Sequence, residues 1–327
     1  PINSLGSYVK LVNTVETQIA ILGECMLELT RSDSDGLAGV LPMNLSYGGD
    51  TLNVAVYMAR LGGIVEYVTG LGNDVMSDWL VEQWRGEGVG CRLVARTPNS
   101  TPGLYMINTD ESGERSFLYW RDSSPARRLL SVESEAQALF EKLREIPVVF
   151  MSGITLAIYD KSARRRLFSL LTDYRQRGGK VVFDGNFRLK LWESIGAARD
   201  AYIEMYKLTD IALPTLEDEQ QAFGDLDEAS VVSRLQSYGV REIVVKLGAE
   251  GCLAVKDTQQ TLVRAPQVGV VDTTSAGDSF NAGYLSARLT GQDPIAAAQA
   301  GHKLASTVIQ YKGAIIPREA MPKVWYP

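Results

Sequence analysis

The residues best suited to chemistry form one short run, Asp272-Thr273-Thr274-Ser275-Ala276-Gly277-Asp278-Ser279-Phe280. Its small side chains let successive backbone N–H groups point at one spot, and it leads into a helical pattern over Asp278 to Arg288. A helix start adds unpaired N–H groups and the positive end of the helix dipole. Together these make an anion site suited to a phosphate in transfer. Asp278 falls in the first turn, where a carboxylate is stabilised and can accept a hydroxyl proton. An Asp before an apolar run is also the ordinary way to start a helix, so this run alone leaves both roles open. It lacks the Gly-Lys-Ser/Thr ending of a Walker A loop. Two other segments add chemistry. Lys246-Leu247-Gly248-Ala249-Glu250-Gly251 follows a strand-like run and reads either as a β-turn or as a loop touching a nucleotide. Glu217-Asp218-Glu219 reads either as a capped helix start or as a shell for hydrated Mg2+.

The elements that must position these residues alternate. Short apolar, β-branched runs predict strands over Gln18–Leu22, Val65–Gly70, Val148–Met151, Val181–Asp184, Ile211–Leu213 and Ile243–Lys246. Helical patterns lie between them, over Thr51–Leu61, Val75–Glu87, Ser162–Gln176, Ile195–Tyr206 and Ala229–Tyr238. Strand-then-helix alternation predicts an α/β fold, a mostly parallel sheet covered on both faces. Two segments break the pattern. Cys25–Ser46 carries the polar stretch Arg31–Gly36, and Gly103–Trp120 reads as two strands around the turn Asp110-Glu111-Ser112-Gly113. Both read as parts of one small β-strand lid, with segments at about 25–46 and 101–122 of a single domain over 1–327.

Composition removes several function classes. The 327 residues are 45% hydrophobic, enough for a large core, and the net charge of -6 comes without a basic stripe, which argues against nucleic-acid binding. No apolar run of membrane-spanning length occurs, so the expectation is a cytoplasmic protein with no membrane partner. Cys25, Cys91 and Cys252 have no paired spacing and read as reduced packing residues. The single histidine, His302, lies in a helical pattern and reads as structural, which leaves acid–base work to carboxylates, Lys or Tyr.

From Gly23-Glu24 to Gly313-Ala314 the chain resembles the ribokinase-like (phosphofructokinase-B type) carbohydrate kinases. The family's closing signature, Asp-Thr-x-Gly-Ala-Gly-Asp, matches Asp272–Asp278, followed by Phe280, Ala282 and Gly283. Its early signature matches Gly48-Gly49-Asp50-Thr51-Leu52-Asn53-Val54-Ala55, followed by Leu61-Gly62 and Gly70-Leu71-Gly72-Asn73-Asp74. The resemblance implies a three-layer α/β sandwich and use of ATP and Mg2+, with a monovalent cation such as K+ near the Asp272 and Gly313 loops. It implies Asp278 as the base and the N–H groups of Ser275, Ala276 and Gly277 as an anion hole. It implies Lys246, Gly248 and Gly251 at the nucleotide, and a homo-oligomer, since lid strands of relatives pair between subunits. Two positions depart from the pattern. Ser275 stands where the family carries Gly, and Thr215-Leu216-Glu217-Asp218 stands where it carries Asn-x-x-Glu, which leaves Asp218 to reach the metal through water.

Within the family, Gly23-Glu24, Gly103-Leu104-Tyr105, Tyr119-Trp120-Arg121 and Asp184-Gly185-Asn186-Phe187-Arg188 resemble the 2-keto-3-deoxygluconate kinases. That resemblance implies substrate contacts from Gly48, Tyr105, Tyr119, Arg121 and Arg188. The chemistry is consistent: arginine binds carboxylates through a two-pronged fork, and tyrosine offers an apolar face with a hydroxyl. Taken singly, an arginine is more often one half of a surface or structural ion pair, and Glu28 reads as a sugar-hydroxyl acceptor or a solvent-facing residue. The competing readings are a kinase for a neutral sugar of the fructose or ribose type and a non-catalytic ligand-binding relative. A nicotinamide-dependent oxidoreductase is disfavoured, because no Gly-x-Gly-x-x-Gly follows the first strand.

Overall fold

The computed structural model describes residues 16–32, 39–109 and 115–322. The expected turn at Asp110–Gly113 and most of the polar stretch after Ser32 lie outside the described residues. In chain order the strands are β1 (Ile19–Leu22), β2 (Met26–Arg31), β3 (Met43–Gly48), β4 (Val65–Gly72), β5 (Val94–Thr97), β6 (Leu104–Thr109), β7 (Arg115–Trp120), β8 (Val148–Ser152), β9 (Lys180–Asp184), β10 (Ile211–Ala212), β11 (Glu242–Lys246), β12 (Cys252–Lys256) and β13 (Gln259–Val263). The helices are α1 (Asp50–Arg60), α2 (Val75–Gly86), α3 (Glu133–Leu143), α4 (Gly153–Ile158), α5 (Lys161–Gln176), α6 (Ile195–Lys207), α7 (Leu216–Phe223), α8 (Glu228–Ser237), α9 (Ala276–Leu289) and α10 (Pro294–Val308).

Nine strands form the main sheet, in the order β13-β12-β11-β10-β9-β8-β1-β4-β5. The pairs from β11 to β5 are parallel, and the β12–β13 edge is antiparallel. The reason is visible in β1, whose four residues Ile19-Ala20-Ile21-Leu22 are all fully buried. A continuous apolar run can be accommodated only where both faces of a sheet are covered. Two hydrophobic clusters do the covering. One, with Leu167, Leu171, Tyr202 and Leu235, packs helices α5, α6 and α8 on one face. The other, with Leu52, Tyr57, Tyr284 and Leu304, packs α1, α9 and α10 on the other. The expected α/β sandwich is therefore the observed one. The single histidine serves this packing: His302 is buried, 4.9 Å from the Phe280 ring centre, with Nε2 3.1 Å from the Val263 carbonyl. The three cysteines are free thiols.

Strand β1 lies between β4 and β8, so the chain leaves it in opposite directions in the two halves. Such a switch point opens a crevice at the carboxyl ends of the strands, where α/β proteins bind ligands. The chain crosses this end twice to build a second sheet of four strands, in the order β3-β2-β6-β7. Its register brings Ser46, Glu28, Tyr105 and Tyr119 into one row across the sheet. Side chains alternate between faces along a strand, so residues two apart share that face. Met26, Thr30, Asn44, Ile107 and Phe117 all line the cleft with the row. The opposite face carries Leu45, Leu118 and Trp120, each exposed.

Candidate active site

The cleft between the two sheets encloses about 1680 Å³. Its floor is set by two helix starts, α1 and α9, and by the ends of β9 and β11. Asp278 sits in the first turn of α9, and its Oδ2 accepts Nδ2 of Asn53 at 2.8 Å. Asn53 lies in the first turn of α1, on the face where its side chain is buried against α9. Asp278 is part-buried among protein atoms at this floor, and the desolvation pushes its carboxyl up to about 7, with the neighbouring Asp50 carboxylate as the next cause. Asp50 is itself raised by burial, and Asn186 donates to its Oδ2 at 2.8 Å. A base that titrates near neutrality is matched to accepting a proton from an alcohol.

Of the three N–H groups expected to form an anion hole, one is engaged within the chain. Ala276 donates its N–H to the Thr273 carbonyl at 3.1 Å. The N–H groups of Ser275 and Gly277 have no acceptor among the described residues. Ser275 has φ 64°, a left-handed conformation found nowhere else in the run Asp272–Asp278. That backbone explains why a glycine is at home there, and serine holds it at a cost of about 1 kcal/mol. The Ser275 hydroxyl is buried without a partner.

Lys246, at the end of β11, is buried and donates to Asp184 at 3.1 Å and to Asn281 at 3.3 Å. Asn281 donates in turn to the other Asp184 oxygen at 2.7 Å. The Lys246 ammonium comes within 3.6 Å of where a side chain on Gly277 would begin. It therefore faces the α9 start, where phosphate oxygens would gather. Gly248 and Gly251 do not line the cleft. Gly251 has φ 118° and leaves no room for a side chain against the Val263 carbonyl, so its glycine answers to the turn joining β11 and β12.

The expected substrate residues divide. Gly48, Tyr105, Tyr119 and Arg188 line the cleft. Tyr105 donates its hydroxyl to Glu28, which also accepts from Ser46 at 2.9 Å; a side chain at Gly48 would strike that tyrosine hydroxyl. Arg188 makes a loose pair with Asp218, 3.4 Å apart, and half of its side chain stays exposed. Arg121 is placed differently. It is buried in an ion pair with Glu24 and is not among the lining residues, because the chain enters the lid at Glu24 and leaves it at Arg121.

Among the described residues no group of three or more His, Cys, Asp or Glu could hold a metal by itself. Both Asp184 oxygens are engaged, and Asp218 accepts the Phe187 N–H at 3.1 Å. This donor set suits Mg2+, which keeps waters and binds mainly through phosphate oxygens with one or two carboxylates nearby. The Asp272 and Gly313 loops meet at the cleft, where the Gly313 N–H donates to Asp272 Oδ2 at 3.0 Å.

Sequence reasoning passed over Asn53, Asp50, Asp184 and Asn281. The signal for Asp184 was its place at the carboxyl end of a strand. For Asp50 and Asn53 it was their spacing of three in the first turn of a helix, which sets both on one face.

A carboxylate poised to take a hydroxyl proton beside two unengaged N–H groups and a lysine is what phosphoryl transfer to an alcohol requires, and the α/β crevice holding it is that of a small-molecule phosphotransferase. Residues 16–321 match the model of the pfkB family carbohydrate kinases, and the chain belongs to that family. It is 46% identical over 312 residues to the 2-dehydro-3-deoxygluconokinase of Dickeya dadantii (strain 3937), covering 93% of this chain and 98% of the relative. It is 46% identical over 314 residues to the enzyme of the same name from Escherichia coli (strain K12), covering 93% and 99%. The crystal structure of the 2-dehydro-3-deoxygluconokinase of Thermotoga maritima superposes with a TM-score of 0.79 at 22% identity, covering 92% of this chain and 95% of that chain. That last likeness is one of fold. No helix of the described residues is long and apolar enough to cross a membrane.

Proposed function

We propose that the protein transfers the terminal phosphoryl group of ATP to 2-keto-3-deoxygluconate, giving the 6-phosphate and ADP. The observation that carries the chemistry is Asp278 at the start of α9, with its carboxyl near 7 and the free N–H groups of Ser275 and Gly277 beside it. The substrate follows from the two relatives of that name at 46% identity. In this reading Asp278 takes the proton of the substrate hydroxyl as the new O–P bond forms. The two N–H groups and Lys246 stabilise charge on the phosphoryl oxygens in transit. Mg2+, reached by Asp218 through water, would neutralise phosphate charge. A monovalent cation would belong where the Asp272 and Gly313 loops meet. The four-stranded sheet acts as a lid, its Glu28–Tyr105 pair presenting an acceptor and an aromatic face to the sugar.

Arg188 receives the substrate carboxylate. Its pair with Asp218 is loose and half-exposed, a type worth about 0–1 kcal/mol, so a ligand carboxylate can displace it. Arg121 joins it only once the pair with Glu24 opens. A coupled ADP-release assay with Mg-ATP tests the substrate: 2-keto-3-deoxygluconate should be strongly preferred over 2-keto-gluconate, fructose, ribose and a nucleoside. Preference for a neutral sugar would overturn the substrate and leave the base. Arg188→Ala should raise KM for the sugar acid by roughly 10- to 100-fold. A similar rise for a neutral sugar would count against carboxylate recognition. The exposed outer row Leu45, Leu118 and Trp120 supports self-association through the lid. Sizing chromatography should give a species larger than one chain, and a strict monomer would remove this part of the reading.

A further inference from the structure

A second cavity, of about 330 Å³, lies outside the cleft. Its walls come from the segment after the lid (Asp122, Arg127, Arg128), the start of α5 (Asp160, Arg164) and the loop after Arg188 (Trp192, Glu193). Three arginines line this one space, Arg128 exposed and Arg127 and Arg164 part-buried, and none forms an ion pair among the described residues. The side chains of Arg127 and Arg128 make no hydrogen bond among the described residues. Arg164 gives one N–H to the Tyr159 carbonyl at 2.6 Å and lies 4.9 Å over the Trp192 ring, with its remaining donors unused. The Trp192 indole N–H is buried without an acceptor, in a side chain more than nine-tenths buried. A buried N–H without an acceptor is costly, as at Trp192, and burial works against the Arg164 charge.

Three carboxylates share the cavity. Asp160 is engaged as the N-cap of α5, where its Oδ1 accepts the Ala163 N–H at 2.8 Å. Asp122 and Glu193 are exposed at the rim, and their carboxylates accept no hydrogen bond among the described residues. A bare anion would meet these two acids unfavourably. A ligand with hydroxyl groups would donate to them while its anionic end meets the arginines.

We propose that this cavity binds a small hydroxylated organic oxyanion, at a site separate from the catalytic cleft. The cavity volume is at the lower end of the range for small-molecule sites, which suits a ligand of a few carbons. Two of the three wall segments continue into the proposed catalytic apparatus: Asp122 follows Arg121 directly, and Trp192 lies four residues after Arg188.

Trp192 supplies the readout. Glycerol 3-phosphate, added to the full chain, should give a saturable change in tryptophan fluorescence that is absent in Trp192→Phe. In Arg127→Gln/Arg128→Gln its midpoint should rise by about tenfold or more, with kcat of the basal reaction unchanged. Neither arginine side chain holds a partner that folding needs. Gluconate in place of glycerol 3-phosphate distinguishes a carboxylate from a phosphate as the anionic end; saturable binding of one and not the other supports the site and identifies that end. Inorganic phosphate binding as tightly as glycerol 3-phosphate would overturn the role given to the hydroxyls. No saturable Trp192-dependent signal from either organic anion, together with one binding site per chain by calorimetry, would overturn the site. An unchanged midpoint in the double variant would do the same.

Discussion

Asp278→Asn is expected to lower kcat by about 10³-fold while leaving the fold in place, because the amide cannot accept the hydroxyl proton. Its oxygen can still accept the Asn53 N–H that now fixes the carboxylate, so the geometry of the α9 start should survive. The pH profile gives an independent check. The base works only when deprotonated, so kcat/KM of the natural enzyme should rise with pH and level off above about 7. Stability should move the other way. The folded carboxyl titrates near 7 and the unfolded one near 3.8, so between these values the folded state holds the extra proton. Stability is then highest below 3.8 as far as this group is concerned, and it falls as pH rises through 7. The substituted amide does not titrate, so the variant should lose that slope and be more stable than the natural protein at pH 8, on the order of 1 kcal/mol or more. Thermal melts at pH 5 and pH 8 read this directly. Full activity in the variant would remove Asp278 as the base, whereas low activity with lost cooperative melting would mean only that the site had collapsed.

The elements that sequence placed well are those whose burial is written in adjacent residues. Ile19–Leu22 is an unbroken apolar run and could sit only inside a covered sheet. The helix start at Asp278 was legible because a small-residue loop and a helical period meet there. The β12–β13 hairpin was passed over: its exposed strand, Gln259-Gln260-Thr261-Leu262-Val263, carries little apolar signal. Strand β10 has only two residues, both inside the expected run Ile211–Leu213, and is held in register by β9 and β11. The site was legible as a set of residue types and much less as a set of contacts. Asn53 and Asp278 are 225 positions apart, and Lys246 and Asp184 are 62 apart. Local pattern carries nothing about such pairs. Arg121 shows the consequence: the resemblance implies a substrate contact, and the fold pairs its guanidinium with Glu24 of its own chain, which sequence could not show. Gly251 shows the reverse case, a glycine that fits a nucleotide loop by spacing and is required by a turn.

Arg121→Ala should be the most destabilising of the single changes near the lid. The guanidinium and the Glu24 carboxylate are both nearly inaccessible, with side chains 8% and 2% exposed. Removing the cation leaves Glu24 as a buried charge with no partner, a change that costs about 3–5 kcal/mol in comparable pairs. The pair is held by one hydrogen bond: Arg121 Nε and Glu24 Oε1 both lack partners. A one-point buried pair adds little net stability over an apolar replacement, so the damage in Arg121→Ala comes from the orphaned acid and not from a lost attraction. That distinction sets the control. Glu24→Gln with Arg121→Met removes both charges and should recover most of the loss, and the two single changes with the double form a cycle that measures the coupling. A loss below about 1 kcal/mol in Arg121→Ala would show that Glu24 finds water or another donor, and would end the view of the pair as a buried clasp of the lid stems. The rescued double variant then separates the two roles of Arg121. If it binds 2-keto-3-deoxygluconate as the natural protein does, the arginine serves the lid alone. If stability returns and affinity for the acid does not, the clasp opens during binding and Arg121 turns from Glu24 to the substrate carboxylate.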